Sequence, residues 1–74
     1  MDAQKQYDIC LICKKARKAR GLTLIELSRQ SGLNKNYLSE FENGKYKDEI
    51  LQEYYAFVLY PSETQAIQAL VKGA

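Results

Sequence analysis

The side chains best equipped for recognition chemistry lie between Thr23 and Lys47. Lys35, Asn36, Tyr37 and Glu40 follow Asn34 in a stretch whose apolar members, Leu38 and Phe41, recur at helical spacing. A lysine can donate to guanine O6 or N7, an asparagine can bond adenine through both the oxygen and the nitrogen of its amide, and a glutamate can accept from the cytosine amine. Tyr37 can pack on a thymine methyl or bond a phosphate. Glu40 can equally sit near Lys35 or Asn36 and orient them. Ser39 and Asn43 suit phosphate or water, and a helix N-terminus attracts phosphate through its free amides. Taken singly, each of these residues also reads as solvated helix surface. As a set they share the face that two flanking elements must expose.

Those elements are two short helices and a tight turn. Thr23 caps the first helix, with Glu26 three residues on to complete a capping box. Leu27 anchors it. Gly32 supplies the corner, where a left-handed backbone costs a glycine least. Leu33 plugs the angle, and Asn34 caps the second helix. Leu38, Phe41 and the stem of Glu42 form the buried stripe of that helix. A turn this short makes the helices cross steeply and leaves the polar face outward, a shape that fits a DNA major groove.

Arg17, Gly21-Leu22, Thr23, Glu26-Leu27-Ser28, Gly32, Asn34, and Leu38 through Phe41-Glu42-Asn43-Gly44 stand at a joint spacing that resembles the phage Cro and repressor-type helix-turn-helix family, also called Xre-like. The resemblance covers roughly Ile9 to Val58. It implies an all-α, five-helix, lambda-repressor-like domain with its helix-turn-helix at 23–43. It implies double-stranded DNA as the partner, with Lys35, Asn36, Tyr37 and Glu40 reading bases. It also implies that Arg17 pairs with Glu42, tying helix one to the recognition helix, and that the Lys45-Tyr46-Lys47 loop runs beside the DNA backbone. The phosphate donors are then Thr23, Ser39, Asn43, Lys45, Tyr46 and Lys47, joined by Lys14, Lys15 and Lys18. Two features depart from the family. Leu24 stands where many members carry a phosphate-bonding Gln. Tyr54 and Tyr55 stand where aliphatic or small residues are usual, so two rings must be housed and two hydroxyls partnered.

The 74 residues suffice for one domain, expected over 7–72 behind a flexible N-terminus at 1–6. Helix one is expected from Tyr7 to Ala19, with Ile9, Cys13 and Ala16 facing the core and Ile12 alongside. Asp48 is expected to cap helix four, running to about Leu59 with Leu51, Tyr54 and Val58 inward. Ser62 is expected to cap helix five, with Gln65 as the capping-box partner and Ile67, Leu70 and Val71 as the stripe. The net charge is only +2, unevenly spread: +4 over residues 1–21, +1 over 22–47 and −3 over 48–74. A basic front and an acidic rear suit a protein that meets phosphate on one side, although a Lys-rich solvated face gives the same pattern.

Cys10 and Cys13 form a C-x-x-C pair inside a helix. With no His in the chain they offer two metal ligands at most; redox sensing, or a four-thiolate site shared between two chains, is the alternative to the simpler reading as small buried hydrophobes. Neither a cofactor nor a metal is implied. The chain lacks an apolar run long enough to span a membrane and a signal-peptide pattern, which points to a cytoplasmic protein, bacterial or phage-encoded. The absence of His, of a phosphate-binding glycine loop and of a metal cluster argues against an enzyme. Helices four and five carry surplus apolar surface, so Phe57, Leu59, Tyr60 and Val71 are candidates for a homodimer interface, which would let two recognition helices read half-sites one turn apart. The competing reading is a protein-interaction module on the same fold, binding another regulator through Leu24, Ile25 and the C-terminal aromatics.

Overall fold

The computed structural model describes residues 1–73. Among the described residues five helices follow one another: α1 (Ala3–Ala19), α2 (Leu24–Ser31), α3 (Lys35–Glu42), α4 (Asp48–Phe57) and α5 (Pro61–Val71). The fold is all-α, with no strand among the described residues.

Helix α1 starts at Ala3 rather than Tyr7. The Asp2 carboxylate accepts from the Lys5 amide at 2.8 Å, a cap that carries the helix back through the segment expected to fray. Helix α2 has the expected capping box. Thr23 Oγ1 accepts from the Glu26 amide at 3.1 Å, and Glu26 Oε1 accepts from the Thr23 amide at 3.2 Å. Gly32 closes α2 in the left-handed region at φ 76°, its amide donating to the Ser28 carbonyl at 2.9 Å. The Ser28 hydroxyl donates to the Leu33 carbonyl and braces the same corner. Asn34 then caps α3, its Oδ1 accepting from the Asn36 amide at 2.7 Å.

The later helices start earlier than expected, α4 by one residue and α5 by two. Asp48 is the first residue of α4 and makes no cap bond; Lys47 holds the cap position, and the Asp48 carboxylate instead accepts from the Tyr46 hydroxyl. Helix α4 ends at Phe57 and buries Ile50, which sits one turn before Tyr54 on the inner face. In α5 neither Ser62 nor Gln65 acts as cap. Pro61 occupies the first helical position, where its fixed φ and missing N–H cost nothing, and Glu63 Oε1 accepts from the Tyr60 amide at 2.9 Å.

The core gathers Ile9, Cys10, Cys13 and Ala16 of α1, Leu27 of α2, Leu38 and Phe41 of α3, Ile50, Leu51 and Tyr54 of α4, then Val58 and Ile67. The Phe41 and Tyr54 rings stack with centroids 5.2 Å apart. Helix α1 packs against α3 and α5, and α2 against α3 and α4, so α3 is held from behind by its neighbours. A second link lies at the far end of α1. The Arg20 guanidinium grips Glu63 with two bonds of 2.7 and 3.1 Å and lies 3.6 Å from the Tyr60 ring centroid.

Candidate nucleic-acid interface

Helix α3 divides cleanly. Leu38 and Phe41 are fully buried and Glu42 is 6% exposed, whereas Lys35, Asn36, Tyr37, Glu40 and Asn43 are exposed and Ser39 is half-buried. The division follows from helical spacing once Gly32 and Asn34 have fixed where the helix begins. The four residues expected to read bases therefore stand on one outward surface. Glu40 has a neighbour that differs from the one expected. Its carboxylate lies 3.8 Å from the Lys45 ammonium rather than bonding Lys35 or Asn36. Lys47 stands over the Tyr37 ring at 5.9 Å. With Ile50, these four residues line a concavity of about 230 Å³ beside the helix.

Behind that surface, Glu42 receives three donors. Arg17 Nε donates to Oε2 at 2.6 Å, Arg17 Nη2 to Oε1 at 2.9 Å, and the Tyr54 hydroxyl to Oε2 at 2.6 Å. The remaining arm of Arg17 donates to the Leu22 carbonyl at 2.7 Å. One guanidinium and one carboxylate thus join α1, the α1–α2 loop, α3 and α4. Hydrogen bonding to Glu42 raises the Arg17 pKa, outweighing the opposing cost of burial. Burial, then donation to Glu42, pushes the Tyr54 phenol well above its ordinary value, so the proton stays on the tyrosine. The departure from the family pattern at position 54 is thereby resolved: the ring fills core space against Phe41 and the hydroxyl completes the Glu42 shell.

The expected phosphate donors fall into two groups. Lys18, Lys45 and Lys47 are exposed, and Lys14 is half-buried one turn from Lys18 on the same face of α1. Two others have prior commitments. The Thr23 hydroxyl donates to Glu26 Oε1 at 2.8 Å, which uses its only hydrogen within the capping box. That hydroxyl, followed by the Thr23 amide, holds the Glu26 carboxyl below its ordinary range. The Tyr46 hydroxyl donates to Asp48, and its ring lies 6.1 Å from Phe41, so Tyr46 faces the protein body. Neither hydroxyl is a free donor for phosphate.

At the other end of the molecule, Phe57, Tyr60 and Val71 are exposed, while Leu59 is half-buried and packs partly against the core. Leu24 also packs partly inward, leaving Ile25 as the exposed apolar residue of α2. Cys10 and Cys13 are free and fully buried. Among the described residues no cluster of three or more His, Cys, Asp or Glu side chains is arranged to hold a metal.

Comparison with known families gives a match to the helix-turn-helix model over residues 14–53, more than half of the chain. The matched segment contains Arg17, the Gly32 corner, the exposed face of α3 and the buried Glu42. The chain belongs to the Xre-like helix-turn-helix family. Its function is accordingly of the DNA-binding, transcription-regulating kind, and the family is not generally enzymatic. The match ends at Glu53, one residue short of the tyrosine that completes the Glu42 shell. No curated protein and no solved structure matches the chain. No helix among the described residues of this Xre-like domain is long and apolar enough to cross a membrane.

Proposed function

We propose that the chain is a sequence-specific transcriptional regulator, a repressor-type homodimer that reads the major groove with α3 and acts in the bacterial or phage-host cytoplasm. Occupying an operator would block or recruit polymerase. The observation that carries the reading is the sorting of α3. Lys35, Asn36, Tyr37 and Glu40 are exposed, while Leu38, Phe41 and Glu42 are spent on the core and the ion pair. Lys35 and Asn36, at the first turn, supply the purine-directed donors. Lys14, Lys15, Lys18, Lys45 and Lys47 supply affinity by displacing counterions from phosphate. Ser39 and Asn43 make the lesser backbone contacts. Dimerisation through Phe57, Tyr60 and Val71 would set two α3 helices on half-sites one turn apart.

The half-exposed Ile25 and the modest net charge of +2 favour a second reading, a protein-interaction module that binds another regulator. Duplex binding at two salt concentrations separates the two. A DNA reader loses affinity steeply between about 50 and about 200 mM salt, with a slope set by the number of phosphates neutralised. An absence of duplex binding at the lower concentration would overturn the DNA-reading proposal.

A further inference from the structure

The outward face of α3 is not free of internal contacts, and the residue that breaks the pattern is Glu40. A carboxylate is an unusual tenant for a surface meant to approach phosphate. It lies 3.8 Å from the Lys45 ammonium, and the Lys45 amide donates to the Glu40 carbonyl at 3.0 Å, which roots the lysine stem beside that acid. Both side chains are largely exposed, 54% for Glu40 and 74% for Lys45. An exposed pair at the limit of ion-pair distance contributes little to folding and is easily exchanged for another partner. Lys47 over the Tyr37 ring repeats the arrangement one step along the loop.

We infer that Glu40 is a specificity-determining residue whose charge Lys45 screens until DNA phosphate takes the lysine away. The inference rests on the DNA-reading function proposed above and deepens it. In the free protein the pair is electrically neutral. On a duplex, Lys45 exchanges the carboxylate for a phosphate, and Glu40 faces the major-groove edge as an acceptor without a hydrogen to give. The cytosine amine satisfies it. Guanine O6 and N7 and thymine O4 are acceptors themselves and repel it. The adenine amine is a donor, but N7 beside it is not, so Glu40 favours cytosine by attraction and disfavours guanine and thymine by repulsion. The Lys45 side chain is 74% exposed, so it can leave the carboxylate without displacing a packed neighbour.

The test compares wild type with Glu40→Gln and Lys45→Met. Bound sites are selected from a pool of random duplexes, and affinity for one unselected random duplex is measured in parallel. Glu40 is exposed, so circular dichroism should be unchanged in the variant. The expected result is that wild type selects a site with cytosine fixed at one position and that Glu40→Gln relaxes that position by about fivefold or more, the lower end for a good side-chain–base pair. Glu40→Gln should also bind the random duplex more tightly than wild type, and this gain should shrink when Lys45→Met is present, because the lysine it frees is gone. If wild type selects a site and Glu40→Gln selects the same site with the same stringency, the inference fails and the reading function stands. If wild type binds duplex but an additive double-mutant cycle shows no coupling between Glu40 and Lys45, the screening role fails. If wild type selects no sequence at all, the reading function falls and this inference falls with it.

Discussion

The Tyr54 hydroxyl donates to Glu42 Oε2 at 2.6 Å, beside the Arg17 Nε that donates to the same oxygen at 2.6 Å. A carboxylate taken out of water is stable only when its lone pairs are matched, and here donors from α1 and α4 match them from two sides. The pair alone need not add net stability. Its effect is to fix the angle at which α3 leaves the body, and so the direction of Lys35, Asn36, Tyr37 and Glu40.

Replacing Arg17 by Ala strands the Glu42 charge, with only Tyr54 left to bond it. The expected cost is roughly 3–5 kcal/mol. For a domain of this size that lowers the melting temperature by more than about 10 °C. Thermal unfolding followed by circular dichroism measures it, and an unshifted midpoint would mean that the buried pair is energetically idle.

Tyr54→Phe keeps the ring on Phe41 and removes only the donor. The loss of a hydrogen bond to a charged group should cost about 1.5–3 kcal/mol. It should appear as a lower urea midpoint with an unchanged slope. A midpoint equal to that of wild type would show that Arg17 alone satisfies Glu42.

Lys35→Ala combined with Asn36→Ala should abolish preference for a selected site while leaving helical content intact, since both side chains are exposed. Competition between selected and random duplexes reads this directly. Unchanged preference would remove the first turn of α3 from the reading surface.

The thiols make a prediction about pH. Burial pushes Cys10 up from an ordinary value of 9.0 to about 11, and burial raises Cys13 as well. The native state keeps thiol protons that the unfolded chain releases, so the Cys10 contribution to stability is full below 9.0 and is lost as pH rises through its folded value of about 11, with Cys13 acting in the same direction. Urea midpoints should therefore decline above pH 9.0, and Cys10→Ala with Cys13→Ala should flatten that decline. A thiol reagent applied to the native protein should label both residues only as fast as the chain opens. Immediate labelling would contradict their burial.

Phe57→Glu or Tyr60→Glu should turn a dimer into monomers in sedimentation velocity without unfolding the chain, because both side chains are exposed. Wild type that sediments as a monomer at all concentrations would dispose of the proposed interface.

What the sequence disclosed and what it concealed divide by range. The Thr23–Glu26 box, the Gly32 corner and the Leu38–Phe41 stripe are local patterns, each complete within five residues, and each stands where its spacing put it. The Arg17–Glu42 contact spans 25 residues and was expected through family resemblance, since nothing in the local pattern around either residue names the other. Tyr54 announced that its hydroxyl needed a partner but not which one. Arg20 and Glu63, 43 residues apart, gave no sign of their pairing. The starts of α4 and α5 are not legible locally because Asp48 and Ser62 are good caps by type, and one or two residues of register decide whether a side chain caps a helix or lies inside it. The donors assigned to Thr23 and Tyr46 were legible as donors, whereas their engagement by Glu26 and Asp48 depends on rotamers that no spacing rule contains.

Anchoring Glu42 from α1 and α4 has a consequence for how mistakes are handled. A recognition helix on a loose mount could swivel to rescue an imperfect site. Here any swivel must first pull a carboxylate off two neighbours, so on the function proposed above the accommodation would fall to the double helix rather than to the mount. Under that proposal, discrimination would extend to base pairs the protein never touches, through how readily each step of the duplex deforms.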